Sequence, residues 1–342
     1  MASNKPFNFL EEADEELQSC LKNEGTAVAY GPGITLIKEG SVSDQVIILL
    51  NGNISINTTD HQGEQQCLAV LSDGAMVGEM SWLEKRPAVA DVVTTTDSTV
   101  LELDVVVLDQ LRQKQPTMAA AWQRLVAQKL ARQIQSQNAW IHRYEGPGEE
   151  IEPIRKVLVL FSELDDRDIN LLGEIGSLRR VQPGDVLLHQ GHPVPSIFLI
   201  LAGDAEIYVE INGINKQVGS SRRGELLGEL TLLTSEDEGA SATVQSSGGM
   251  ELLELNKADL NQALQDDSNF AARFYRSLSC MLSQRSRDQL LARRLAARSQ
   301  NAERESDEGD ELDFTQLSGI NRAGQRFNTL CQIFQSSARN QP

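Results

Sequence analysis

The sequence is poor in the residues that staple small secreted folds or hold metals. Its 342 residues include four cysteines and four histidines. Cys20, Cys67, Cys280 and Cys331 are scattered, with no two at metal-ligand spacing, which excludes a zinc cluster and a disulfide framework and points to a reducing, cytoplasmic compartment. No run approaches the roughly 18 consecutive apolar residues of a membrane span. Residues 1–12 pass from Lys5 into Phe9-Leu10-Glu11-Glu12 without an apolar leader, so membrane insertion is not expected. Basic residues are in deficit, 31 against 49 acidic ones, a net charge of −18. A chain so charged repels phosphate backbones, and a nucleic-acid partner is not expected. No Walker loop, Gly-x-Ser-x-Gly elbow or zinc-ligand set occurs, and the chain reads as a non-enzyme.

What is present is said twice. Pro32-Gly33-x-x-Leu36-Ile37-x-x-Gly40 followed by Leu49-Leu50-x-Gly52-x-x-x-Ile56 returns as Pro183-Gly184-x-x-Leu187-Leu188-x-x-Gly191, then Ile200-Leu201-x-Gly203-x-x-x-Ile207. The offset is 183 − 32 = 151. Gly78-Glu79-Met80-Ser81 returns as Gly228-Glu229-Leu230-Thr231, and Leu101-Glu102-Leu103 as Leu253-Glu254-Leu255. A unit this long exceeds solenoid repeats of roughly 20 to 50 residues and marks a duplicated domain.

Each copy reads in the same order. Residues 8–21 carry Phe9, Leu10, Ala13, Leu17 and Leu21 at helical spacing, a single leader helix. Its counterpart is 162–175, with Ser162 as the expected cap. Short β-rich runs broken by glycine follow, including 46–50, 66–71, 92–96, 197–201, 205–209 and 242–245. Many short strands with frequent turns predict an antiparallel sandwich or barrel. His61-Gln62-Gly63 and Ile211-Asn212-Gly213 read as hairpin tips. The period then lengthens: Trp122, Leu125, Val126, Leu130, Ile134 and Ile141 share one helix face, as do Phe270, Phe274, Leu278, Met281 and Leu282.

These signals divide the chain into a first domain at 1–145, a linker at 146–152 around Gly146-Pro147-Gly148, a second domain at 153–298, an acidic linker at 299–313 and a docking tail at 314–342. In the tail, Gly319 and Gly324 are expected to interrupt any single long helix.

The leader helix, the Pro-Gly turn with its aliphatic pair, the Leu-x-Gly turn, the Gly-Glu pair, the Ala-x-Val strand and the long closing helix together resemble the cyclic nucleotide-binding domain family, twice over. The resemblance covers roughly 8–144 and 153–298. It implies an α+β, mainly β fold: two eight-stranded β-rolls (double-stranded β-helices), each with flanking helices and a long C-terminal helix. It implies a phosphate-binding segment at Gly78, Glu79, Met80, Ser81, Ala88 and Val89 in the first copy. In the second, the matching positions are Gly228, Glu229, Leu230, Thr231, Ala240 and Ser241. In the family, backbone amides and an arginine meet the cyclic phosphate while the glutamate accepts the ribose 2′-hydroxyl.

Here the arginine position holds Ala88 in one copy and Ala240 in the other. Arg86 precedes Pro87 instead of following it, and the second copy has no basic residue between Arg223 and Lys257. A charge-assisted hydrogen bond contributes about 1.5–3 kcal/mol, so its loss lowers affinity by about ten- to several-hundred-fold.

Other side chains have blander readings. His189 and His192 sit at a turn without a third ligand, and Trp82 and Trp122 read as packing residues. Arg285, Arg287, Arg293, Arg294 and Arg298 read as a solvated helix face, or else as partners for an acidic segment.

The function expected is that of a cytoplasmic regulatory or scaffold protein whose two degenerate domains act through protein contacts. The competing readings are a sensor of cyclic AMP, cyclic GMP or another small anion, and a catabolite-activator-like transcriptional regulator. The residues require no cofactor, and a cyclic nucleotide is the one ligand that the resemblance allows. A protein partner is expected, with the long helices pairing either within one chain or between two copies.

Overall fold

The computed structural model describes residues 7–59, 65–141, 159–211, 213–234, 239–299 and 314–339. The first copy opens with α1 (Phe9–Glu12) and α2 (Glu15–Glu24). Strands β1 (Thr26–Tyr30), β2 (Thr35–Ile37), β3 (Gln45–Asn51), β4 (Asn53–Thr59), β5 (Gln65–Ser72) and β6 (Met76–Val77) follow. Helix α3 (Glu79–Glu84), β7 (Asp91–Thr94), β8 (Ser98–Asp104), α4 (Val105–Lys114) and the long α5 (Pro116–Ile141) complete it. The second copy runs α6 (Val159–Glu163), α7 (Asp166–Ile175), β9 (Gly176–Val181), β10 (Val186–Leu188), β11 (Ser196–Ala202), β12 (Ala205–Ile211), β13 (Ile214–Ser221) and β14 (Leu226–Leu227). A 3-10 turn (Glu229–Leu232), β15 (Thr243–Ser246), β16 (Met250–Asn256), α8 (Lys257–Asp266) and the long α9 (Ser268–Ser299) close it, and α10 (Phe314–Arg339) follows.

The strands form four antiparallel sheets, two per copy. The first copy has orders β1-β8-β3-β6 and β2-β7-β4-β5; the second has β9-β16-β11-β14 and β10-β15-β12-β13, the same topology with eight added to each number. Even the bulges repeat. Register shifts at Thr35/Ile37, Leu49/Asn51 and Ile56/Asn57 return at Val186/Leu188, Ile200/Ala202 and Ile207/Tyr208, each 151 residues later. Each roll closes on its own apolar interior. Ile37, Ile47, Leu49, Ile54, Val77, Val92 and Val100 fill the first. Leu187, Leu188, Val194, Phe198, Ile200, Val244 and Leu252 fill the second.

The third core belongs to both copies. Trp122, Val126, Leu130 and Ile134 on α5 are buried in one cluster with Phe270, Phe274, Leu278 and Leu282 on α9. The leader helices of both copies and α10 enter the same cluster through Phe9, Leu17, Phe161, Leu172, Phe327 and Leu330. Burying a side chain of this size contributes about 1.5–3 kcal/mol, so the stripes that set the helical period also set the interface.

Polar contacts give the direction of the pairing. The Thr117 and Ser268 hydroxyls lie 3.3 Å apart at the two helix starts, Ser279 donates to the Gln123 carbonyl at 3.3 Å, and Gln133 donates to Ser286 at 2.8 Å. Numbers rise together, so the helices run parallel. The first contact falls one position from strict equivalence, since the long helices start at Pro116 and Ser268, so the pairing approximates the two-fold contact between two identical chains.

Local structure departs from expectation at three places. The leader is two helices rather than one, because Asp14 accepts from the Leu17 amide and caps a fresh start. In the second copy Asp165, not Ser162, is the cap, in a capping box with Asp168; the Ser162 hydroxyl donates to the Val159 carbonyl instead. Helix α10 runs unbroken through Gly319 and Gly324. A glycine within a helix costs about 0.5–1 kcal/mol against alanine, less than burial of Phe327, Leu330 and Phe334 returns.

The linker at 146–152, the His61-Gln62-Gly63 turn and the acidic run at 300–313 lie outside the described residues. Among the described residues no helix is long and apolar enough to cross a membrane, and all four cysteines are free thiols.

The helix pairing predicts a cross-link. With Cys20 and Cys67 replaced by serine, Thr117→Cys/Ser268→Cys should form a disulfide within one chain on mild oxidation, at a yield independent of dilution. Non-reducing electrophoresis would instead show a covalent dimer if two chains exchanged helices.

Candidate functional site

Both Gly-Glu segments start from a left-handed glycine. Gly78 has φ +88° and Gly228 has φ +80°. A Cβ at Gly78 would sit 2.6 Å from the Gln45 carbonyl oxygen, so the first position accepts no side chain without a backbone shift. Beyond that glycine the copies diverge. The first continues as helix α3; the second makes a 3-10 turn of four residues, closed by the Thr231 hydroxyl donating to the Gly228 carbonyl at 2.7 Å. Glu79, Ser81, Glu229, Leu230 and Thr231 are buried, and Met80 is half-buried.

The two glutamates are already paired. Glu79 binds Lys129 of α5, which also donates to Gln133 at 2.6 Å. Glu229 binds Arg285 of α9 at 2.6 Å. Each carboxylate is therefore neutralised by a cation on the long helix of its own copy. Burial alone would lower the Arg285 guanidinium, but Glu229 and Glu225 outweigh it and hold the group above its ordinary value.

The loops opposite are tied back in matching fashion. The Ala88 amide donates to the Ser41 carbonyl at 2.8 Å and its carbonyl accepts from Gly40 at 2.9 Å; Ala240 does the same with His192 and Gly191, both at 2.8 Å. The backbone donors at the two alanines are thus committed within each roll. Val89 is half-buried beside Ala88, and Ser241 is exposed beside Ala240. Arg86 faces Glu84, 4.0 Å away.

Sequence reasoning expected the long helices to pair but missed the contact of α9 with the first Gly-Glu segment. A stripe on α9, Arg276, Cys280, Ser283 and Arg287, lies along α3 of the other copy. The Arg276 guanidinium stacks 4.8 Å from the Trp82 ring centre, and the Cys280 thiol donates to the Leu83 carbonyl at 3.8 Å. Ser283 donates to Glu84; Arg287 binds Glu84 at 2.7 Å and donates to the Pro87 carbonyl at 3.0 Å. The 276, 280, 283, 287 spacing follows the helical period, but about 200 residues separate the partners, and nothing local reveals them.

Arg285 and Arg287 therefore do not belong to a solvated face. Both are drawn to buried carboxylates, because burying an unpaired charge costs far more than ordering an arginine. The side chains of Arg293, Arg294 and Arg298 lie outside the described residues.

Burial pushes the Cys280 thiol up to about 12. Burial also holds the Glu84 carboxyl above the usual carboxylate range, with Arg287, and the hydrogen bonds from Ser283 and Arg287, offsetting part of the rise. Trp82 is a packing residue whose indole donates to Asp109 at 3.1 Å. His189 and His192 have ring centres 5.6 Å apart, and no group of three metal-binding side chains occurs among the described residues.

Comparison with known proteins bears on these features. The family model described as "Cyclic nucleotide-binding domain" matches residues 27–115 and 178–267. A cAMP-dependent protein kinase regulatory subunit of Blastocladiella emersonii is 23% identical over 259 residues, 75% of this chain and 57% of the relative. The corresponding protein of Mucor circinelloides f. lusitanicus is 25% identical over 258 residues, 75% of this chain and 52% of the relative. This chain spans about half the length of these curated relatives. Among solved structures, the regulatory domain of Toxoplasma gondii PKA with cAMP aligns over 82% of this chain and 92% of its own, at 15% identity and a TM-score of 0.31. The regulatory subunit of a cAMP-independent protein kinase A from Trypanosoma brucei aligns over 77% and 89%, at 18% identity and a TM-score of 0.29.

Two predictions follow from the buried pairs. Lys129→Met or Arg285→Met leaves a buried carboxylate without its cation and should cost about 3–5 kcal/mol, read from urea unfolding at neutral pH. For Glu84 the sign is different. A carboxyl raised in the folded state stabilises the fold below its unfolded value of about 4.3 and loses that contribution as pH rises through the raised value. Glu84→Gln leaves the buried Arg287 without its carboxylate and should lower the urea midpoint, but it should flatten the fall in midpoint as pH rises above the ordinary carboxylate range, whereas Arg287→Met should steepen that fall.

Proposed function

The chain belongs to the cyclic nucleotide-binding domain family, and we propose that it is a regulatory protein whose two copies act through protein contacts rather than as ordinary cyclic-nucleotide sensors. One observation carries this reading: each glutamate that would accept a ribose hydroxyl is buried against a cation from its own long helix. Both loops also put alanine where the family's arginine would stand. A ligand would have to break an existing ion pair to gain a hydrogen bond, and its phosphate would find no guanidinium at Ala88 or Ala240.

The matched relatives are regulatory subunits of a protein kinase, which supports a regulatory role and makes a kinase catalytic chain the class of partner to test first. A second reading, a sensor of a cyclic nucleotide or other small anion, is favoured by the left-handed glycines at both Gly-Glu segments, the two cassettes. Such geometry brings backbone amides close to an anion.

Calorimetry on the full chain with cyclic AMP and cyclic GMP separates the two readings. We expect no saturable binding at micromolar ligand in the unmodified chain, and a gain of about tenfold or more in Ala88→Arg as one charge-assisted contact returns. Micromolar binding that disappears in Glu79→Ala or Glu229→Ala would establish the sensor reading instead.

A further inference from the structure

A cavity of about 350 Å³ lies away from both Gly-Glu segments, between the second roll and α10. One wall is the roll, with Leu178 on β9, Leu201 and Ala202 on β11, and Glu251 on β16; the other is α10, through Cys331 and Phe334. That volume falls within the ordinary range for small-molecule sites and equals on the order of a dozen liquid water volumes.

Its charges are unequal. Arg180 and Glu251 satisfy one another across neighbouring strands at 3.0 Å. Arg223 has no carboxylate partner among the described residues: its guanidinium stacks 4.8 Å from the Phe327 ring centre, and one nitrogen donates to the Cys331 sulfur at 3.9 Å. In a chain with 49 acidic residues, a cation left with a sulfur acceptor in a cavity that Leu178, Leu201 and Phe334 also line is conspicuous. Arginine is the side chain suited to hold a carboxylate through two parallel hydrogen bonds.

We propose that this cavity is a binding site for an organic monoanion with an apolar body, such as a medium-chain carboxylate. The acid group meets Arg223 at the mouth, and the chain lies against Leu178, Leu201 and Phe334. A dianion or a nucleotide fits less well, because Glu251 borders the same space, while Leu178, Leu201 and Phe334 favour an apolar body. Since α10 forms one wall, the ligand binds the docked tail and not the free one, so occupancy stabilises docking in proportion to ligand concentration.

The site stands independently of the two cassettes and of the reading proposed for them. Its test uses the full chain, decanoate below its micellar range, and decanol as the neutral analogue. Calorimetry should show saturable one-to-one binding of decanoate, about tenfold or more weaker for decanol and for Arg223→Gln, with partial recovery in Arg223→Lys. Hydrogen exchange should slow in α10 on adding decanoate. Because Arg223→Gln also removes the stack on Phe327, a second variant, Ala202→Trp, fills the cavity from an exposed position of the roll and should abolish binding while the melting temperature holds. Absence of saturable binding to the normally folded chain, equal affinity for decanol, or undiminished binding in Ala202→Trp would each overturn the proposal.

Discussion

The structure depends on one apolar seam, the parallel packing of α5 against α9. Each roll closes its own small interior, but neither can cover the stripe on the long helix that follows it. Trp122, Val126, Leu130 and Ile134 need a partner, and the duplication supplies it within the same chain as Phe270, Phe274, Leu278 and Leu282. Thr117 and Ser268, one position from equivalence in the two copies, meet at the start of the seam. The arrangement has the form of a homodimer contact in which the partner is covalently attached. Covalent linkage makes that contact intramolecular, with an effective concentration far above that of free chains.

Once the seam exists it governs the cassettes. Lys129 and Arg285 project from the paired helices onto Glu79 and Glu229, and the stripe ending at Arg287 lies on α3 across the copy boundary. The carboxylates of Glu79 and Glu229 thereby fasten the β-rolls to the helical layer. The copies are not equal in this respect. Helix α9 grips the first cassette through Trp82, Leu83 and Glu84, whereas the second cassette is a shorter 3-10 turn held through Lys257 and Arg285. Divergence after duplication has given the second long helix most of the contacts between the copies.

The C-terminal helix extends the same logic. Phe327 packs edge-on to Phe161 at 5.0 Å, and Arg326 binds Asp166 and the Phe161 carbonyl, so α10 covers the leader helices of the second copy. Gly173 permits close approach, since a Cβ there would stand 3.3 Å from Ile333. Where α10 parts from the roll, the space between them is lined by both and belongs to neither alone.

Much of the fold was legible in the residues. The 151-residue offset marked the duplication, strand runs such as those around Val46 and Ile197 lie inside β3 and β11, and the stripes on α5 and α9 followed the helical period, because side-chain periodicity is a local property of the chain. Capping was misread at Ser162, where Asp165 and Asp168 offered a better reciprocal pair, and α10 crossed its glycines because burial outweighed local preference. At the candidate site, the alanines at 88 and 240 and the glutamates at 79 and 229 could be named from the sequence. Their partners could not: Lys129 and Arg285 stand 50 and 56 residues away, and Arg287 reaches Glu84 across 203. Which cation meets which carboxylate depends on where the packed helices lie, and only the folded chain brings such distant charges out of water together.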